Sequence, residues 1–77
     1  MPYQKQEQQT LRLLRIIKRL YAGEELQGSL VAQEYGVSSR TLLRDMKKIS
    51  TIIPLYSKHG KWSLDTYVLD TAFNPLN

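Results

Sequence analysis

The chain has 77 residues, about half of a typical ~150-residue domain, so it has room for one small core and no more. With 42% hydrophobic and 23% charged residues it reads as neither a disordered polar tract nor a membrane protein, and no apolar run approaches the roughly 18 residues that a bilayer span needs. It contains no cysteine, which excludes disulfide staples, thiolate zinc sites and thiol catalysis, and its net charge of +4 favours an acidic partner.

The N-terminus, MPYQKQEQQT, has no apolar signal core, so a cytoplasmic location is expected. Over residues 9–22, Leu13, Leu14, Ile16, Ile17, Leu20 and Tyr21 recur at three- and four-residue spacing, with Arg12, Arg15, Lys18 and Arg19 between them. This spacing predicts an amphipathic helix that starts near Thr10 or a turn earlier and stops at Gly23, its last cations matching the helix dipole. Those four cations are expected on the solvated side, with at most one or two reaching a phosphate. Residues 23–28 read as a loop. A short second helix follows, with Ser29 as a candidate cap, Leu30, Val31, Ala32 and Tyr35 facing inward, and Gly36 closing it. Val37 supplies an apolar residue to the turn, and Ser38 stands where an N-cap belongs. A third helix is therefore predicted over residues 39–49, crossing the second steeply. Its core side is Leu42, Met46 and Ile49. The opposite face carries Ser39, Arg40, Leu43, Arg44 and Lys47, with Lys48 at the margin.

After Ser50, the residues Ile52, Ile53, Leu55, Tyr56, Trp62 and Leu64 are β-favouring or apolar, and Lys58, His59, Gly60 and Lys61 interrupt them. A small hairpin is predicted, with Pro54 at its entrance and Gly60 in its turn. Trp62 and Tyr56 are expected to close this hairpin onto the helices, not to stack on single-stranded nucleic acid. Residues 67–77 show no clear period and read as a tail or linker after a domain of residues 1–66. Within that tail Tyr67, Val68, Leu69 and Phe73 are candidate dimer contacts.

Helix, helix, short glycine turn, helix and hairpin, in that order, give a mainly α fold with a small β-hairpin. This is the winged helix-turn-helix, three helices plus a two-stranded wing, which presents its third helix to the major groove of DNA. That groove is about 12 Å wide and admits one helix, read by residues near its N-terminus and on the face away from the core. The candidate contacts are Ser38, Ser39, Arg40, Leu43, Arg44, Lys47 and Lys48 on the helix, with Lys58, His59 and Lys61 on the wing at the flanking backbone or minor groove. Arginine bonds bidentately to guanine, lysine gives point charge to phosphate, and hydroxyls at a helix start suit phosphate oxygens. His59 is the one histidine, and a lone loop histidine without clustered carboxylates is a poor ligand or general base. No spaced carboxylate pair and no phosphate-binding glycine loop occurs either, so no enzyme, metal, cofactor or small-molecule site is expected.

The run from Gly36 to Met46, GVSSRTLLRDM, followed by an apolar hairpin with a basic tip, resembles the N-terminal DNA-binding domain of DeoR-type and WYL-type bacterial regulators. The similarity spans about residues 10–65 and includes Val31 to Ser38 as second helix and turn. By position, the resemblance implies that Arg40 and Arg44 contact DNA, that Thr41 helps hold a phosphate, and that Asp45 is structural, pairing with or orienting a neighbouring basic residue. The chain departs from the pattern at Leu43, where a thymine-methyl contact replaces a hydrogen bond to a base. It departs also at Gly28, where a hydroxyl-bearing cap is common, and at the wing tip, which has one glycine. The sensing domain that usually follows has no counterpart here, so a piece of a longer regulator and a free-standing protein both stay open. The expectation is a sequence-specific regulator of double-stranded DNA, a repressor, acting as a homodimer because one such domain reads only a half-site. The alternative is a winged-helix module that binds another protein, since a fold does not dictate function.

Overall fold

Three helices and three short strands make up the computed structural model, which describes residues 4–67, with side chains from residue 8 onward. In chain order they are α1 (Gln4–Tyr21), β1 (Leu26–Gln27), α2 (Gly28–Glu34), α3 (Ser39–Ser50), β2 (Leu55–Lys58) and β3 (Lys61–Leu64). The arrangement is the winged helix-turn-helix, mainly helical with a small antiparallel sheet. α1 starts at Gln4, further upstream than its apolar spacing indicates. Glutamine, lysine and glutamate are good helix formers, which favours helix in the polar stretch before Thr10.

The core is built from Ile16 and Leu20 of α1, Leu26 of β1, Val31 and Ala32 of α2, Leu42, Met46 and Ile49 of α3, and Ile53 beyond it. Three expected core residues lie outside it: Leu14, Tyr21 and Leu30 are all more than half exposed. Leu14 is two residues from Ile16 and so about 160° around the helix axis, further than one small packing layer can cover.

The link from α2 to α3 follows directly from the sequence. Gly36 has φ +65, a conformation in which a side chain is strained, and its amide bonds the Gln33 carbonyl at 3.1 Å. Val37 N–H reaches back to the Ala32 carbonyl at 3.0 Å, completing a Schellman closure that redirects the chain into α3. At the other end of α2 the expected cap is absent. Gln27 occupies the N-cap position without a side-chain hydrogen bond, and Ser29 lies inside the first turn. The amide of Gly28, one of the first-turn donors that have no partner within a helix, bonds the Gly60 carbonyl of the wing turn at 2.9 Å.

The loop expected over residues 23–28 contains a strand. β1 pairs antiparallel with β3, Leu26 opposite Trp62, giving a three-stranded sheet of order β1-β3-β2. Two residues are too few to show a period, so nothing in the sequence distinguished them from loop. In the hairpin, Leu55 opposes Leu64 and Ser57 opposes Trp62, and Leu55, Trp62 and Leu64 pack on the core. Tyr56 opposes Ser63 and so lies on the other face of the sheet, 52% exposed; it does not close the hairpin onto the helices as expected. Of the four candidate dimer contacts, Tyr67 is exposed, and Val68, Leu69 and Phe73 lie outside the described residues.

Candidate nucleic-acid interface

α3 divides its residues cleanly between two faces. Leu42, Asp45, Met46 and Ile49 are buried, whereas Ser39, Arg40, Leu43, Arg44, Lys47 and Lys48 are exposed. Its start is fixed by Ser38, whose hydroxyl oxygen accepts the Thr41 amide at 3.1 Å and whose proton goes to the Thr41 hydroxyl at 3.0 Å. Ser38 is thus engaged as a cap, leaving the Thr41 hydroxyl proton and the Ser39 hydroxyl as the donors at the head of the helix. At its far end the Ser50 and Thr51 hydroxyls donate to the Lys47 and Lys48 carbonyls at 2.7 and 2.6 Å. The cations Arg40, Arg44, Lys47 and Lys48 make no side-chain hydrogen bond or ion pair among the described residues.

The arginines of α1 behave differently, and here the expectation of a solvated row fails for two of four. Arg12 lies 12% exposed and pairs through Nε with Asp45, which is 1% exposed on the inner side of α3. Arg19, seven residues on and so on the same side of α1, donates to Glu24 at 3.1 Å, to Glu34 at 2.9 Å and to the Tyr35 hydroxyl at 3.3 Å. The hydrogen bond to Tyr35 first, opposed by partial desolvation and aided by Glu34 and Glu24, holds the Arg19 guanidinium even more firmly protonated than usual. These two side chains fasten α1 to α3 and α1 to α2. The seven-residue spacing was visible in the sequence, but apart from Glu24, five positions from Arg19, their partners lie fifteen or more positions away, and no local pattern names those.

On the wing, His59 and Gly60 both have positive φ, 55 and 77, the mark of a two-residue type I′ turn. Lys58 and Lys61 face one another across it. Lys61 Nζ stands 3.8 Å from Glu25, both side chains being largely exposed, and Lys58 makes no ion pair among the described residues. Like charges directly opposed on a hairpin are unfavourable in the free protein, so this tip is electrostatically suited to an anion.

A model of the helix-turn-helix (HTH) domain family matches residues 12–62, from the middle of α1 to the second residue of β3. The chain belongs to the HTH domain family. No curated protein and no solved structure matches it. Membership accounts for the fold and supports DNA binding in general as the role of this HTH domain, with double-stranded DNA as its partner. Among the described residues no helix is long and apolar enough to cross a membrane.

Proposed function

We propose that this HTH domain is a sequence-specific transcriptional regulator of the DeoR or WYL kind, a repressor, which reads the major groove with α3 and rests its wing on the flanking backbone or minor groove. The observation that carries the reading is the unpaired outer face of α3. Arg40 and Arg44 stand exposed with no partner among the described residues, on the helix that this fold offers to the groove. Ser39, the Thr41 hydroxyl and Lys47 supply phosphate contacts on either side of them, Lys48 adds charge at the margin, and Leu43 suits a thymine methyl group. Lys58, His59 and Lys61 serve the flanking contact.

Useful specificity calls for two half-sites, and a homodimer on DNA is part of the proposal. Besides the tail, α1 offers a contact surface for it. Leu11, Leu14 and Tyr21 are each about half exposed and, with Lys18, form one outer stripe at helical spacing. That stripe also favours a second reading, a module that binds protein and not DNA. The test is selection of this chain on random-sequence duplexes at rising salt, with the bound fraction sequenced. The regulator reading expects a motif that survives as salt rises. Unselective binding that vanishes with salt would leave a basic surface only, and no binding would favour the protein-binding module.

A further inference from the structure

Between α3 and the hairpin runs a crevice of about 270 Å³, floored by Leu42 and Met46, walled by Leu43 and Trp62, and rimmed by Ser29 and Ser39. Trp62 packs half-buried against the core from the inner face of the sheet. Its indole nitrogen lies at the α2 end of the crevice, where a methyl group at position 28 would stand 3.8 Å from Nε1. An indole N–H can only donate, yet the Trp62 side chain has no hydrogen bond among the described residues, and neither do the hydroxyls of Ser29 and Ser39. Three unused donors and an apolar wall thus meet in one crevice. The exposed cations Arg40 and Lys58 belong to the two elements that flank it.

We propose that this crevice is a saddle for one sugar-phosphate unit of the DNA backbone, with the Trp62 indole N–H donating to a phosphate oxygen. The inference rests on the DNA-binding reading. With α3 in the major groove and the wing at the neighbouring minor groove, the strand that separates the two grooves has to cross the space between those elements. A deoxyribose offers apolar C–H surface and the phosphate next to it offers only acceptors, which matches the apolar ring of Trp62 together with its own N–H and the two serine hydroxyls at the rim. The contact carries no base information, so it fixes the register of α3 without choosing the sequence.

Trp62 is the single tryptophan of the chain, so its indole N–H gives one resolvable cross-peak in a ¹⁵N-labelled sample. That peak is followed while wild-type protein is titrated with the selected duplex and with an unrelated duplex of equal length. The saddle predicts a downfield shift and slowed exchange with water on both. In parallel, Trp62→Phe, which keeps the aromatic wall and removes the donor, should lose roughly tenfold in affinity for both duplexes. Its slope of log K against log salt should not change, because a neutral donor releases no counterion. An indole peak that stays still while α3 amides shift would overturn the saddle and leave DNA binding intact, as would a Trp62→Phe protein with altered base preference or a lower salt slope. If α3 amides do not move on either duplex, the DNA reading fails and the saddle with it. The peak is read on wild-type protein, so the test holds even if the variant folds poorly.

Discussion

α1 and α3 carry similar runs of cations, four in residues 12–19 and four in residues 40–48, yet the two helices use them in opposite ways. On α1, Arg12 and Arg19 are turned inward or sideways onto carboxylates of other elements. On α3, no cation has a partner among the described residues, and the one acidic residue is turned inward to meet Arg12. A count of charges cannot separate these cases. What separates them is whether a carboxylate lies within reach in the folded chain, and that is decided by how the helices cross. The positive charge left to attract DNA is therefore concentrated on α3 and the wing, more sharply than net charge implies.

The sharpest way to break this comparison is at its internal end. Asp45→Ala leaves the largely buried Arg12 guanidinium without its partner and should cost about 3 kcal/mol in denaturant unfolding. A chain of 77 residues has only about 4–12 kcal/mol in total, so the variant gives up between about a quarter and three-quarters of its stability. Replacing both partners by apolar residues, Arg12→Met with Asp45→Leu, should recover most of that loss, because the charges are desolvated together. If Asp45→Ala unfolds like wild type, the pair is a surface contact and the contrast between the helices disappears.

At the external end, Arg44→Ala should leave unfolding unchanged to within about 0.5 kcal/mol, as for an exposed residue without partners. Against the selected duplex it should lose roughly 1–3 kcal/mol of discrimination between matched and mismatched base pairs, read by competition binding. A uniform loss over all sequences would move Arg44 from base reading to phosphate anchoring.

How much of this was legible beforehand follows the range of the interactions involved. The bend between α2 and α3 could be read because Gly36, Val37 and Ser38 each act within a few residues of themselves. The outer face of α3 could be read because Leu42, Met46 and Ile49 set its inner face by spacing alone. The role of Asp45 came from a family resemblance, and the identity of its partner came from neither source. Arg12 lies on another helix, and its neighbours mark it as just one of a solvated row. β1 escaped for a different reason, since its two residues owe their conformation to Trp62 and Lys61 across the sheet. Tyr56 was assigned to the wrong face because the hairpin register, which sets the inner residues as Leu55, Trp62 and Leu64, depends on the turn being the two residues His59 and Gly60.

The wing offers a gentler test of the external set. Lys61→Ala should weaken binding to every duplex by less than about tenfold at 0.1 M salt, and should lower the salt slope by about 0.9 if the ammonium neutralises one phosphate. Its contact with Glu25 is long and exposed, so its loss should not register in unfolding. An unchanged slope would mean that Glu25, not DNA, is the lasting partner of Lys61.

The smallest expected effect concerns His59, which belongs to neither set by its charge. It holds φ 55 in the first turn position, where asparagine followed by glycine is the preferred pair. Histidine tolerates this conformation better than most residues but asparagine tolerates it more readily, so His59→Asn should stabilise the fold by about 0.5 kcal/mol. The same substitution removes the imidazole while keeping the backbone of the tip in place. Equal DNA affinity in wild type and His59→Asn would assign His59 to the turn alone. Weaker binding in the more stable variant would put the imidazole on the DNA, because stability and affinity would then have moved in opposite directions.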